Sequence, residues 1–424
     1  MNQDQQENRD TLPPRGPKLR LLDVKAYKDG EKEGLLLLDR KGLFKDPVFV
    51  PAELLPILGA LTGERDTHQI ALDLGREMGC SVPVSLVEQV VEMLDERLCL
   101  EGERAELVKK QKRDNYLSLP VRPVACAGTP GYPKEPNLLR RELDRILSEG
   151  EAPQLHGELL GLVAPHIDLA RGRLGYAAAY RRLAAEEVPP ELVLVLGTGH
   201  GGPSTLLVPS TKDYETPLGP LPGEKGLISC LLEHFPELAM DECLHQEEHS
   251  LEFQAVFLAH LFGNSRSKSS PKFAFFLTGS LCSNPEEDLG VQRVLAFLGD
   301  KIEAMGKRVL VLAGADLSHV GPFFGDGKPV DRAWVERLAQ EDLRDLGLAC
   351  DLQWGTFVAN LKRDEEFRRV CGTTPIYLAG KLAERMAGGP ALKGRILQYG
   401  PSRSESGEQC VTWASLAFEA KATE

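Results

Sequence analysis

Three apolar runs in this chain each deliver a histidine. Leu160-Gly-Leu-Val-Ala-Pro165 ends on His166, and Leu192-Val-Leu-Val-Leu196 leads through Gly197-Thr-Gly to His200. Val309-Leu-Val-Leu312 is followed by Asp316, Ser318 and His319. Runs this short and this apolar suit buried strands. In a sheet with several parallel strands the carboxyl ends share one edge, so His166, His200, Asp316 and His319 can converge there. Cys371 lies in Arg369-Val-Cys-Gly-Thr-Thr-Pro-Ile376, a turn that starts a helix, where exposed N–H groups favour a thiolate. His249 opens a helix in Glu247-Glu-His-Ser-Leu-Glu-Phe-Gln254, and Glu252, three residues on, can share its face.

Two imidazoles and a thiolate make a reasonable ligand set for iron(II), zinc or copper(I), with positions left open for substrate or oxygen. Asp316 and His319 are then free for acid–base work, Asp316 fixing the tautomer of His319. Any one of these histidines alone is more often structural. Their joint occurrence after strand ends carries the reading. A rival sits in His245-Gln-Glu-Glu-His249, an H-x-x-E-H pattern with Cys243 two residues earlier, which would hold zinc as in inverted metalloproteases. That pattern needs a helix under both histidines, and the apolar helical stripe begins only after His249.

The elements that must position these groups follow from periodicity. From Leu160 onward strands are expected at 160–164, 192–196, 205–208, 272–278, 308–313, 394–399 and 410–415. Helical patterns fall between them, at 174–185, 223–233, 250–262, 288–305, 332–346, 351–362 and 375–387. Such alternation marks a layered α/β domain. Before it, Asn137 to Leu147 reads as an amphipathic helix, and Arg122 to Pro133 is too rich in proline and glycine for regular structure. Residues 106–121 continue a charged stretch from Glu101 that reads as a solvated helix or linker. Residues 18–105 form a separate small module, a hairpin from Lys18–Val24 and Gly34–Leu38 followed by helices at 51–61, 66–78 and 84–98. Thr67 is the expected cap of the second helix, and Ser81 or Ser85 of the third. His68, the module's one histidine, is expected to be solvated.

Composition narrows the function classes. A net charge of −13 over 424 residues argues against a nucleic-acid surface. No apolar run reaches the roughly 18 residues of a membrane span. Residues 1–17 are polar and proline-bearing and read as a disordered tail. Nine single cysteines with no Cys-x-x-Cys pair, in a chain without an export signal, fit a reducing cytoplasm.

The region 122–424 resembles the MEMO family, whose bacterial members are called AmmeMemoRadiSam system protein B. The likeness is carried in order by Ala127-Gly-Thr-Pro-Gly-Tyr-Pro133, Ala164-Pro-His-Ile-Asp168, Leu196-Gly-Thr-Gly-His200, Glu248-His-Ser-Leu-Glu252, Ala315-Asp-Leu-Ser-His319 and Cys371-Gly-Thr-Thr-Pro375, with a closing strand in Ser406–Phe418. The resemblance implies a three-layer α/β fold like that of LigB-type extradiol dioxygenases, with cysteine replacing a carboxylate ligand. On that pattern His166, His200 and Cys371 are the metal ligands, Asp316 and His319 line the site, and His249 stands beside it. Where the family usually has a glycine and an aromatic residue, this chain has Ile167-Asp-Leu-Ala-Arg-Gly172, so Asp168 and Arg171 are expected to face the pocket. The family is linked to iron and copper, to redox chemistry and, in bacteria, to radical SAM proteins. The N-terminal module resembles, in element order and size, the α+β winged-helix-type PqqD-like domains that hold peptides. A peptide would then add as a strand to its hairpin edge; a helical docking or dimerisation module is the other reading. The expected function is therefore a metal-dependent redox enzyme or accessory protein beside a radical SAM partner. A non-catalytic peptide binder or metal carrier is the alternative.

Overall fold

In the computed structural model the described residues are 16–420, apart from 31, 40, 41, 129, 130, 151, 264–269 and 390. The chain divides into two compact units between Ser118 and Leu119. Most of the expected tail, residues 1–15, lies outside the described residues. Gly16 and Pro17 are already tied to the first unit, through Gly16 N–H to the Gly63 carbonyl and Gly63 N–H to the Pro17 carbonyl.

The first unit carries an antiparallel sheet of β1 (Asp23–Asp29), β2 (Lys32–Leu38) and β3 (Val48–Pro51), in that order. Helices α1 (Leu55–Ala60), α2 (Thr67–Met78), α3 (Val84–Glu96) and α4 (Glu103–Ser118) follow. Leu37, Val50, Ile57, Ile70, Val87 and Leu94 form its core. Two cap assignments move. Asp66, not Thr67, caps α2 by accepting the Gln69 N–H, and α3 opens after Pro83 with no side-chain cap. The third strand gives little sequence signal because Val48–Pro51 is only four residues long. The charged stretch is the helix α4, counted with the first unit, so the division falls later than residue 105. Few of its side chains, Ala105 and Tyr116, are buried. His68 is exposed.

The second unit is built on one eight-stranded mixed sheet. Its elements run α5 (Pro136–Leu147), β4 (Glu158–Ala164), α6 (Leu169–Ala184), β5 (Leu192–Thr198), β6 (Leu207–Pro209), α7 (Lys225–His234), α8 (His249–Phe262), β7 (Lys272–Thr278), α9 (Leu289–Met305), β8 (Val309–Gly314), β9 (Asp316–Val320), α10 (Arg332–Cys350), α11 (Trp354–Arg363), α12 (Thr373–Met386), β10 (Leu392–Arg403) and β11 (Cys410–Ala420). Strands β4, β8, β5 and β7 are parallel neighbours in that order. Antiparallel β6 lies beyond β7, and β11 pairs antiparallel with β4.

Side chains alternate across a strand, and β5 shows the consequence. Val193 and Val195 pack with α5, α6 and α8. Leu192, Leu194 and Leu196 pack with α7, α9, α11 and α12. Helices therefore cover both faces, which makes three layers and accounts for strands that are apolar throughout.

In the first unit the hairpin's opening strand is Asp23–Asp29 rather than Lys18–Val24, and Lys18 and Leu19 pair with Glu101 and Leu100 instead. In the second unit one element departs from its expectation. Asp316 to Val320 is expected as the loop after a strand, but it is the strand β9, paired antiparallel with the first residues of β11 and carrying a register shift between Asp316 and His319. Its polar sequence, Asp-Leu-Ser-His-Val, gives no apolar alternation to announce it.

Candidate metal centre

Two glycines let α8 reach the strand ends. A β-carbon on Gly197 would lie 2.5 Å from the Ser250 hydroxyl, and one on Gly314 would lie 2.5 Å from the Ser250 carbonyl. Only glycine allows that approach. Ser250 then donates to the Thr198 carbonyl (2.8 Å), which fixes the first turn of α8 against the end of β5. The sequence therefore places His249 beside the groups at the ends of β4 and β5.

His166 is 1 % exposed. Its backbone N–H donates to Asp316 Oδ1 (2.9 Å), and its Nδ1 lies 2.9 Å from the Gly314 carbonyl. A carbonyl can only accept, so Nδ1 carries a proton, and Nε2 is the ring nitrogen turned toward the site. That Nε2 faces Cys371 Sγ at 3.3 Å. His200 is oriented the same way by a different partner. Glu248 accepts the His200 N–H on Oε2 (2.8 Å) and Nδ1–H on Oε1 (2.9 Å). A carboxylate or carbonyl behind each imidazole is the arrangement that orients metal-ligating histidines.

The ligating atoms of His166, His200 and Cys371 all lie within 4.8 Å of one another. Ligands about 2.0 and 2.3 Å from one ion, at a tetrahedral angle, sit about 3.5 Å apart. The 3.3 Å between Sγ and Nε2 is close to that spacing before any ion is added. Soft sulfur with two imidazoles suits iron(II), copper(I) or zinc. The His200 side chain is 38 % exposed, so the site opens on one side.

Charge is arranged for ligation as well. Burial pushes the Cys371 thiol up, yet the His166 and His319 imidazoles and hydrogen bonds from His166 and His200 hold it well below the usual thiol range. Burial also opposes charge on His166 and His200. Asp316 and Cys371 outweigh it at the first, and Cys371 and Glu248 at the second, so both are raised; both imidazoles would give up their Nε2 protons on binding an ion. Burial would raise Glu248, but the His200 hydrogen bond and charge hold it well below the carboxylate range. His249 stacks on His200 with ring centroids 4.7 Å apart. Burial pushes it down to about 4, so it stands neutral beside the trio. It belongs, with His200 and Glu248, to a second group of possible ligand atoms. Glu248 is already occupied there as the helix N-cap, accepting the Ser250 N–H at 2.9 Å.

Several expected roles change. Asp316 does not fix the tautomer of His319: its carboxylate takes the His166 N–H, and His319 Nδ1 pairs with the Leu317 carbonyl at 3.0 Å. Asp168 is the N-cap of α6, accepting the Arg171 N–H at 3.0 Å, and its other oxygen takes the Arg171 guanidinium. The two satisfy one another at the helix start. Glu252 is fully buried, and its carboxylate is spent on Arg122, on the Ala125 and Cys126 N–H groups (2.9 and 2.7 Å) and on the Tyr132 hydroxyl. It locks the irregular segment after Arg122 and belongs to neither group of candidate ligands.

His245 fails the metalloprotease pattern because both of its ring nitrogens are already engaged. It lies in a short 3-10 turn, Glu242–Gln246, with Nδ1 held by the Tyr214 hydroxyl and Nε2 bonded to the Val208 carbonyl at 2.8 Å. Burial pushes its pKa from 6.5 down to about 3. The unfolded chain therefore takes up a proton between those values and the folded chain does not, so stability falls on acidification. The expected slope is about 1.4 kcal/mol per pH unit. Trp334, Trp354 and Trp413 are the chain's three tryptophans, so their fluorescence follows the second unit in urea. His245→Asn should flatten the dependence between pH 6.5 and 4.5 by that slope; an unchanged slope would refute the assignment.

Reasoning from sequence missed Glu248 as the residue that aims His200. The only local signal is a carboxylate immediately before a histidine at a helix start.

Among known proteins, the family described as Memo-like protein matches residues 122–417. A MEMO1 family protein of Aquifex aeolicus is 27% identical over 330 residues, covering 76% of this chain and 82% of its own length. One from Methanopyrus kandleri is 26% identical over 298 residues, 68% of this chain and 95% of its own. A third, from Ignicoccus hospitalis, is 30% identical over 212 residues, 48% and 70% respectively.

Proposed function

The chain belongs to the MEMO family, and from that premise we propose that its second unit holds one redox-active metal ion through His166, His200 and Cys371. A single observation carries the reading. Each imidazole has its Nδ1 tied to an acceptor, leaving two Nε2 atoms and one thiolate that share a ligand-sized space. Iron(II) or copper(I) would supply one-electron chemistry and open positions there, and zinc would supply Lewis acidity. The protein's own groups do the rest. The Gly314 carbonyl and Glu248 hold the two imidazoles in place, and Asp316 fixes the His166 backbone. His319, its Nδ1 tied to Leu317, keeps Nε2 to hold or move a proton.

On this reading the protein is a redox enzyme or accessory protein acting beside a radical SAM partner, and the first unit presents a peptide. The family resemblance supports the partner. Support for the peptide comes from β1, a mostly exposed strand that pairs with β2 on one side only among the described residues. Exposed strand edges accept an added strand.

Cobalt(II) substitution tests the ligand set. Wild type should show a thiolate-to-cobalt charge-transfer band that Cys371→Ser loses while it stays folded. A band of equal strength in the variant would refute thiolate ligation. His319→Ala separates enzyme from carrier: an enzyme keeps its metal and loses turnover, whereas a carrier is unaffected in both metal and partner binding.

A further inference from the structure

A cavity of about 190 Å³ opens beside Cys371, between the carboxyl ends of β5 and β7 and the start of α12. It is lined by Thr198, Ser280, Lys362, Cys371, Thr373 and Thr374, with Glu365 at the same wall. Most of its polar groups are accounted for. Thr198 donates to the Cys371 carbonyl (3.1 Å), Thr373 to the Val370 carbonyl (3.2 Å), and Lys362 pairs with Glu365 at 2.9 Å. Thr374 is different. It is 5 % exposed, and its hydroxyl, open to the cavity, makes no hydrogen bond among the described residues.

The hydroxyl sits in the first turn of a fourteen-residue helix, Thr373–Met386. The opening N–H groups of a helix have no partner within it, and they carry its positive end. Pro375 supplies no N–H, so the donors offered at this end are those of Thr373 and Thr374. Two backbone donors, one unpartnered hydroxyl and a lysine within one small cavity suit a group that only accepts.

We propose that this cavity is a subsite for an oxyanion, the carboxylate or phosphate of a small substrate, held by the Thr373 and Thr374 N–H groups, the Thr374 hydroxyl and Lys362. Its role as a substrate subsite rests on the proposed metal site, because Cys371 is shared by both. Glu365 is the opposing charge. It holds Lys362 when no anion is bound and must release it when the anion enters.

The test is calorimetric titration of the full chain at low ionic strength with inorganic phosphate and, separately, acetate. Saturable binding of one of them is expected, and the preferred probe tells phosphate from carboxylate recognition. Thr374→Val should weaken it about tenfold or more, since a hydrogen bond to a charged group is lost. Glu365→Gln should tighten it by freeing Lys362. Both variants should keep the metal content of wild type. No saturable binding of either anion, or a Thr374→Val titration identical to wild type, would overturn the proposal. Repeating the titration on a His166, His200 and Cys371 triple alanine variant keeps the two claims apart. If that variant keeps its metal, the ligand assignment fails and the anion site stands on its own titration.

Discussion

Glu252→Ala should cost the second unit about 3–5 kcal/mol, the range found when one partner of a buried ion pair is removed. Arg122 and Glu252 are both fully buried, with no side-chain exposure on either. Without the carboxylate, the guanidinium would be left in a site that has excluded water. Its bonds to the His245 and Glu248 carbonyls, each 2.8 Å long, and its place over the Tyr214 ring would not replace that charge. Two backbone N–H groups and the Tyr132 hydroxyl would lose their acceptor at the same time. Glu252→Gln keeps one acceptor oxygen and should lose less. Urea unfolding followed by tryptophan fluorescence reads this directly. A loss below about 1 kcal/mol for the alanine variant would mean that the buried network contributes little.

Glu248→Ala should weaken metal binding by about 10- to 100-fold, the usual effect of removing the group that orients a ligating histidine. The carboxylate does three things at once. It accepts the His200 backbone N–H and Nδ1–H, caps α8 through Ser250, and lies 3.3 Å from His249 Nδ1. Arg122 grips the Glu248 carbonyl, so the cap itself is anchored from behind. Loss of the carboxylate frees His200 to turn its ring or swap tautomer, and its Nε2 then no longer points at Cys371 for most of the time. Competition with a chromophoric chelator measures the change. Glu248→Gln should recover part of it, because an amide oxygen can still accept from Nδ1–H. Equal affinity in wild type and Glu248→Ala would remove Glu248 from the site.

Much of the second unit is legible in its sequence for one physical reason. A strand buried on both faces must be apolar along its length, so Leu192–Leu196 and Val309–Leu312 announce themselves. A residue just past such a run lies at a sheet edge, which is why His166 and His200 can be paired from sequence alone. Cys371 is readable too, since Gly372 and Pro375 bracket a helix start. Elements held by distant partners are not readable. Strand β9 is polar, and its pairing with β11 joins distant segments, as Asp316 opposite Trp413 shows. Glu252 reads as a pocket residue because it shares a helix face with His249. Its true partners at Arg122, Ala125 and Cys126 sit 126–130 positions away. The family pattern puts Asp168 and Arg171 in the pocket. Their spacing is also that of a helix cap and its first-turn partner, and the cap is what forms.

Binding of one ion by His166, His200 and Cys371 together is the central claim. Elemental analysis of protein purified without oxygen, wild type beside a His166→Ala, His200→Ala, Cys371→Ala triple variant, tests it most directly. Close to one metal ion per wild-type chain is expected, and almost none in a variant whose circular dichroism shows it to be folded. A folded triple variant carrying as much metal as wild type would contradict it.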